Sequence, residues 1–305
     1  MNPQVLIDGV IAGSIIGLGA IGLTLTYAIL RFANFTHGDF LAGGAYLTLT
    51  VSGFLGGFLA SLGVGTPLGP FSFGWGLPVS LMAGIGLTIV LTLALDRVLF
   101  GSLRRRGADA IIIVMASFGA SMALRSLIEF IYTANPVYLT RELQIAQQIG
   151  LGMRATPDQL LTIAMTAVLV LALHLVVTRT ATGRAMRAVS ENPSLAGVYG
   201  IDVAMVIRMT WIIGAGLACV AGVMSGLLVQ IRPYMGFDLL LPLFAAAILG
   251  GIGSIPGAML GGLIIGLAEA MTVQLIGAEW RAAVAFVLLV AVLIVRPTGL
   301  FGQRG

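Results

Sequence analysis

RTATGRAMRAVSENPSLAGVYGID, residues 179–202, is the one long polar and charged interruption between strongly apolar segments of this 305-residue sequence. Its first part, Arg184 to Val189, has helix-forming composition. Asn192-Pro193-Ser194 is turn chemistry, because Pro fixes φ and biases its predecessor away from the helix. Ser194 is then placed to cap a second short helix, Leu195 to Tyr199, which Gly200 ends. A short helix–turn–helix outside a bilayer, with no chemistry of its own, reads either as a docking surface or as a solvated loop joining two spans.

The segments on either side decide the class. Hydrophobic residues make up 58% and charged residues 9% of the chain, against roughly 25% charged in an ordinary soluble domain. With a mean hydropathy of +1.06, this is the composition of an integral membrane protein. Apolar runs of about 20 residues cross a bilayer, and seven fall at 5–30, 40–61, 77–100, 110–132, 159–178, 209–230 and 280–296. The segment 239–276 is too long for one span and is broken by GGIGSIPG at 250–257, so it reads as two, the first short. The sum is nine crossings, or eight with 239–256 re-entrant. Glycine spacings of the small-xxx-small kind, such as Gly13/Gly17 and Gly262/Gly266, let helix backbones approach closely. Gly-rich stretches near 13–22 and 214–226 hint at a two-fold internal repeat.

Every one of the 16 basic residues is Arg, and their placement sets the orientation. With residues 179–202 cytoplasmic, alternation puts eleven Arg inside and four (Arg141, Arg154, Arg232, Arg281) outside, with Arg125 in a span. The N-terminus is then outside and the C-terminus cytoplasmic. The net charge of +4 follows from this bias and is no nucleic-acid patch. The exterior segment 133–158 either caps the outer mouth, where it meets a binding protein, or packs on the spans. Cys219 is alone, and the two histidines, His37 and His174, lie far apart, so neither a disulfide framework nor a metal site is expected. The glycines at 250–257 are not followed by Gly-Lys-Ser/Thr, and the chain has no lysine, which excludes a phosphate-cradling P-loop. This chain alone is not expected to hydrolyse ATP.

Three stretches resemble one family. Gly183-Arg184-Ala185, Arg187-Ala188, Glu191-Asn192, Ala196 and Gly200-Ile201 are similar to the cytoplasmic coupling loop of ABC importer permeases, more narrowly the LivH-type branched-chain amino acid permeases. Asn34 to Phe40 followed by Gly44-Ala45-Tyr46, and Ala247 to Ala258 running on into Gly261-Gly262 and Gly266 to Ala270, match the same family in its order and spacing. The resemblance implies an all-α integral membrane protein of about eight or nine transmembrane helices with one broken or re-entrant segment, like a type II ABC importer permease. It further implies a single permease domain over 1–305, with a coupling loop at 179–208. Its implied partners are a second homologous permease, two cytoplasmic ATP-binding subunits, a periplasmic amino-acid-binding protein and membrane lipid, but no nucleic acid. The location is the bacterial inner membrane. No cofactor is bound by this chain, and ATP is used by the partner subunits. Related permeases handle leucine, isoleucine and valine, and other related systems carry other amino acids, amides or urea.

On this reading Gly183, Arg184, Arg187, Ala188, Glu191, Asn192, Ala196 and Gly200 couple the chain to the ATPase. Arg184 and Arg187, three apart, both project from one helical face toward it. Asn34, Thr36, His37 and Asp39 form an inner gate or a subunit contact, or else a capping turn at the inner face. Glu269, Gly250 and Gly253 belong to the translocation path. Arg125 lies one helical turn before Glu129 and is expected to pair with it, whereas Glu269 has no local partner in sequence. His174 reads as an interface residue. Two other functions compete: a self-sufficient secondary carrier or channel, for which Glu269 is the one loose carboxylate, and an intramembrane hydrolase using Ser225 or Ser254, around which no nucleophile motif stands.

Overall fold

The computed structural model describes residues 3–61, 68–140, 142, 144–150, 152–296 and 298–302, with no account of the side chains of 58–61. Arg141 and Arg304, counted in the charge asymmetry, lie outside the described residues. Helices dominate, as they must where a backbone in lipid has to satisfy its own hydrogen bonds. In order they are α1 (Gln4–Leu30), α2 (Thr36–Ser61), α3 (Gly76–Leu95), a π turn (Asp96–Phe100), α4 (Gly101–Arg105), α5 (Ala110–Tyr132), α6 (Pro157–Arg179), α7 (Ala181–Glu191), α8 (Pro193–Val198), α9 (Val203–Leu228), α10 (Met235–Gly250), α11 (Ile255–Leu275) and α12 (Arg281–Val295). Among the described residues, eight helices are long and apolar enough to cross a membrane, α3 through α4 counting as one. The 16 residues of α10 make about 24 Å of helix, short of the ~30 Å of a hydrocarbon core.

Among the spanning helices α1 and α9 are the most enclosed, while α6 and α12 bury the fewest of their residues. The sequence explains the centre. α1 carries glycines where another backbone must approach: a Cβ at Gly13 would sit 2.8 Å from the Leu263 Cα, and one at Gly17 would sit 2.7 Å from the Met259 sulfur. Gly262 and Gly266 of α11 face Gly17 and Gly13 in return, so the two helices run antiparallel in close contact. Such packing replaces the hydrophobic drive that lipid does not supply. The Gly-rich stretches of α1 and α9 also touch, with the carbonyl of Gly214 beside Gly22.

The expected split of 239–276 is present. α10 ends at Gly250, and α11 starts at Ile255 after Ser254, whose Oγ accepts from the Gly257 amide at 3.1 Å. Carbonyls freed at the end of α10 are taken by the chain that follows α12: the Leu300 amide donates to Leu249 (2.8 Å) and the Phe301 amide to Gly250 (3.0 Å). α9 begins at Val203, capped by Asp202, so the last residues of the expected loop 179–208 are its first turns.

At the opposite end, the described residues of segment 133–158 pack on the bundle through the contacts that follow. It carries a small antiparallel pair, β1 (Gln147–Gly150) and β2 (Met153–Ala155), and Val137 bridges Ile231. Asp158, buried at the start of α6, accepts from the Ser72 hydroxyl (2.5 Å) and from Gln144 (3.0 Å). Gln4 of α1 donates to the Arg154 carbonyl at 2.9 Å.

Candidate functional site: a short helix pair tied to a buried polar cluster

Thr180 stops α6 and starts α7, its hydroxyl accepting from the Gly183 amide at 3.1 Å. Gly183, Met186 and Val189 bury one face of α7, at helical spacing, and leave Arg184, Arg187 and Glu191 exposed. The turn is capped by Asn192, not Ser194: Asn192 Oδ1 accepts from the Leu195 amide at 3.0 Å and Pro193 takes the first helical position. An Asn at N-cap followed by Pro at N1 is the stronger start signal, since Pro lacks an N–H that would need a partner there. α8 buries Ala196, and Gly200, at φ +81°, takes the left-handed turn beyond it.

Arg187 does not project outward with Arg184. Its guanidinium folds back and donates to the carbonyl of Val177, at the end of α6. That carbonyl is one of the orphans of a helix C-terminus, which a cation satisfies well. α8 and the residue after it add apolar surface: Leu195, Val198 and Tyr199 are 53%, 82% and 79% exposed, while Arg184 and Glu191 are exposed on α7. The sequence carries them as three large apolar side chains after the Asn192-Pro193 turn, where the face-burying residues of α7 have already ended.

The far end of α7 is held by a residue read in the sequence only for its charge. Arg31 ends α1 in the left-handed conformation, φ 57°. Its Nη2 donates to the carbonyls of Ser190 (3.0 Å) and Glu191 (2.8 Å). The residues immediately after it, 32–35, turn back into the bundle and carry the polar cluster with them.

That cluster does not lie at the inner face. His37 packs against Gly22 and donates from Nε2 to the Gly19 carbonyl at 3.0 Å, near the middle of α1. Asp39 meets Ser121 and Arg125, near the middle of α5, with Arg125 Nε 3.4 Å from Asp39 Oδ1. The expected start of the second span, residue 40, is therefore four residues late, and the cluster opens α2 at mid-depth. Asn34 Oδ1 accepts from both the amide (3.2 Å) and the hydroxyl of Thr36, the local signature of a helix start. Asn34, Thr36, His37 and Asp39 are each no more than 1% exposed. Facing the interior of this chain, they cannot reach a second subunit in this arrangement.

Arg125 pairs with Asp39 and not with Glu129. Its guanidinium also lies 4.4 Å over the Phe237 ring and 5.3 Å from the Tyr234 ring, at the start of α10. A desolvated cation gains more from a buried carboxylate and two aromatic faces than from a half-buried carboxylate one turn along the same helix. Three elements, α2, α5 and α10, thus converge on one ion pair.

Glu269 has a partner after all. Arg281, at the start of α12, donates to its Oε2 at 2.7 Å. The carboxylate is 2% exposed, the arginine side chain 52%, so Arg281 reaches in from the exposed start of α12. Gly250 packs against the backbone of Gly257, and the Gly253 amide donates to Thr24 Oγ1 at 2.8 Å; both hold α10 and α11 onto their neighbours. His174 is exposed on α6, and no group of three or more His, Cys, Asp or Glu side chains comes together among the described residues.

Over residues 5–293 the sequence matches the protein family described as "Branched-chain amino acid transport system / permease component". It is 33% identical over 309 residues to the high-affinity branched-chain amino acid transport system permease protein BraD of Pseudomonas aeruginosa, covering 98% of this chain and 95% of that one. Identity to the corresponding LivH protein of Escherichia coli is 34%, with the same coverage. The probable branched-chain amino acid transport permease protein LivH of Methanocaldococcus jannaschii is 27% identical over 313 residues, 99% of this chain and 93% of that one. Among solved structures, PsaBC from Streptococcus pneumoniae in complex with Fab aligns with 97% of this chain and 92% of its own at a TM-score of 0.48 and 12% identity, a distant likeness.

Proposed function

This chain belongs to the family of branched-chain amino acid transport system permease components, and on that premise we propose how it works: it forms the membrane path of an importer that separate ATPase subunits drive by alternating access. The cargo is a branched-chain or related amino acid. The full assembly pairs this single-domain permease with a second homologous permease, two cytoplasmic ATP-binding subunits and a periplasmic amino-acid-binding protein in the inner membrane. α7 and α8 face the cytoplasm and the N-terminus faces outward, as the Arg asymmetry favours.

One observation carries the coupling mechanism. The exposed α7–α8 pair is joined through Arg31 to the break between α1 and α2, and that break leads within a few residues to the buried cluster at mid-depth. The ATPase seats on Leu195, Val198 and Tyr199, with Arg184 and Glu191 at the rim. When the ATPase subunits close, α7 moves, and Arg31 transmits that movement to residues 32–39. His37 holds this segment to α1, and Asp39 holds it to α5 and α10, so the segment acts as a gate at mid-depth between two arrangements of the bundle. ATP is consumed by the partner, and this chain binds no cofactor.

The self-sufficient carrier loses its main support, because Glu269 is occupied by Arg281. The test of the importer is uptake and ATPase co-purification in Val198→Glu, Tyr199→Glu and Glu191→Arg. Loss of both, with membrane insertion intact, is the expected result. Survival of both in all three variants overturns the docking assignment.

A further inference from the structure

A cavity of about 700 Å³ opens at the end of the bundle that carries α7 and α8, between the α3–α4 helix and the start of α9. Arg97, Arg104 and Arg105 line it from one helix and Arg208 from the other. The positions 97, 101, 104 and 105 repeat at helical spacing, so the three arginines share the face that looks across to α9. The π turn Asp96–Phe100 sits within this face, its register closed by the Gly101 amide donating to the Asp96 carbonyl.

Gly101 forms the floor. A Cβ there would lie 2.9 Å from the Asp96 carbonyl oxygen, 3.5 Å from Arg105 Nη1 and 3.7 Å from Arg104 Nη2. Two guanidinium groups therefore converge over one bare Cα. Asp96 answers only one of them: its Oδ1 is 2.6 Å from Arg104 Nη2. Asp202 lies 3.8 Å from Arg208, both more than half exposed, a weak pair in water. The cavity keeps an excess of positive charge. Arg104 Nη1 is buried and has no hydrogen-bond partner among the described residues, and a desolvated guanidinium donor left unmet is costly. Leu93 and Ile207 line the same cavity and offer apolar surface beside the charges.

We propose that this cavity binds the phosphate of an anionic phospholipid, with Arg97, Arg104 and Arg105 on the headgroup and Leu93 and Ile207 along the first part of the acyl chains. Forked guanidinium donors match phosphate oxygens in geometry and charge. Basic pockets between spans at a membrane surface take anionic headgroups, and the apolar wall distinguishes a lipid from free phosphate. The site needs the basic end of the bundle to lie at a membrane surface but does not depend on what the protein transports.

The test is native mass spectrometry of the purified full-length chain, equilibrated with phosphatidylglycerol or phosphatidylcholine, with and without excess inorganic phosphate. The wild type retains phosphatidylglycerol over phosphatidylcholine, and retention survives the phosphate. Arg97→Gln and Arg105→Gln, both exposed side chains, each weaken it about fivefold; Arg232→Gln, at the other end of the bundle, leaves it unchanged. Should either variant fail to insert, Arg208→Gln on the facing helix replaces it. Equal retention of the two lipids, or equal retention by wild type and variants, overturns the proposal. Displacement of the lipid by inorganic phosphate assigns the site to free phosphate and overturns the lipid assignment.

Discussion

Arg31 reaches across 160 positions of sequence to donate to the carbonyl of Glu191 at 2.8 Å, so the last turn of α1 and the last turn of α7 share one guanidinium. The same Nη2 also satisfies Ser190. An arginine in the left-handed conformation is strained, and this bond is what the conformation obtains.

Replacing Arg31 tests whether that bond transmits movement. Arg31 is exposed, so solvent screening holds its stability contribution to about 1 kcal/mol or less. Arg31→Ala is expected to insert normally, with uptake per inserted copy falling about fivefold, the rate equivalent of ~1 kcal/mol. Arg31→Lys keeps the charge but not the fork, and should fall between the two. Uptake with quantified membrane protein is the measurement, and equal uptake by all three removes Arg31 from the mechanism.

Asp39 and Arg125 form a buried pair, 1% and 11% exposed. Arg125→Ala leaves an unpaired carboxylate at mid-depth and is expected to cost about 3–5 kcal/mol. Asp39→Asn combined with Arg125→Met removes both charges and should recover much of that loss. Thermal unfolding in detergent checks the recovery, which is absent if Arg125 pairs with Glu129 instead.

Gly266 of α11 meets the backbone of Gly13 in α1. Gly266→Val forces the two helices apart, and its cost is at or above the ~1–3 kcal/mol of ordinary overpacking; the expected result is loss of protein from the membrane fraction. Gly86, on the exposed face of α3, has open space where a Cβ would go. Gly86→Ala should be neutral or stabilise by up to about 1 kcal/mol through helix propensity. Comparing membrane accumulation of the two variants separates packing glycines from incidental ones.

Removing Arg281 leaves the buried Glu269 carboxylate without its cation, whereas Glu269→Gln keeps a neutral hydrogen-bonding group in place. Arg281→Ala is therefore expected to destabilise more than Glu269→Gln, by about 1–3 kcal/mol. Melting of the purified variants decides it. The opposite order would mean that the pair contributes little and that Glu269 is free for another role.

The sequence alone determined the membrane class, most spans, a break in 239–276 within residues 250–257, the α7–α8 pair and the family. These are properties of contiguous residues: hydropathy over a span-length window, Pro and Gly at a break, and cap residues at a helix start. Local spacing failed where a charge had a choice of partners. Arg125 had Glu129 one turn away, yet the fold brings Asp39 and two aromatic rings to it from α2 and α10. Glu269 looked unpaired because Arg281 belongs to the next helix. Arg187 turns from the expected docking face because the end of α6 presents a free carbonyl there. The depth of the Asn34–Asp39 cluster was decided by tertiary structure for the same reason. Polarity marks residues that must be satisfied, but whether water or a buried partner satisfies them depends on which helices pack around the chain.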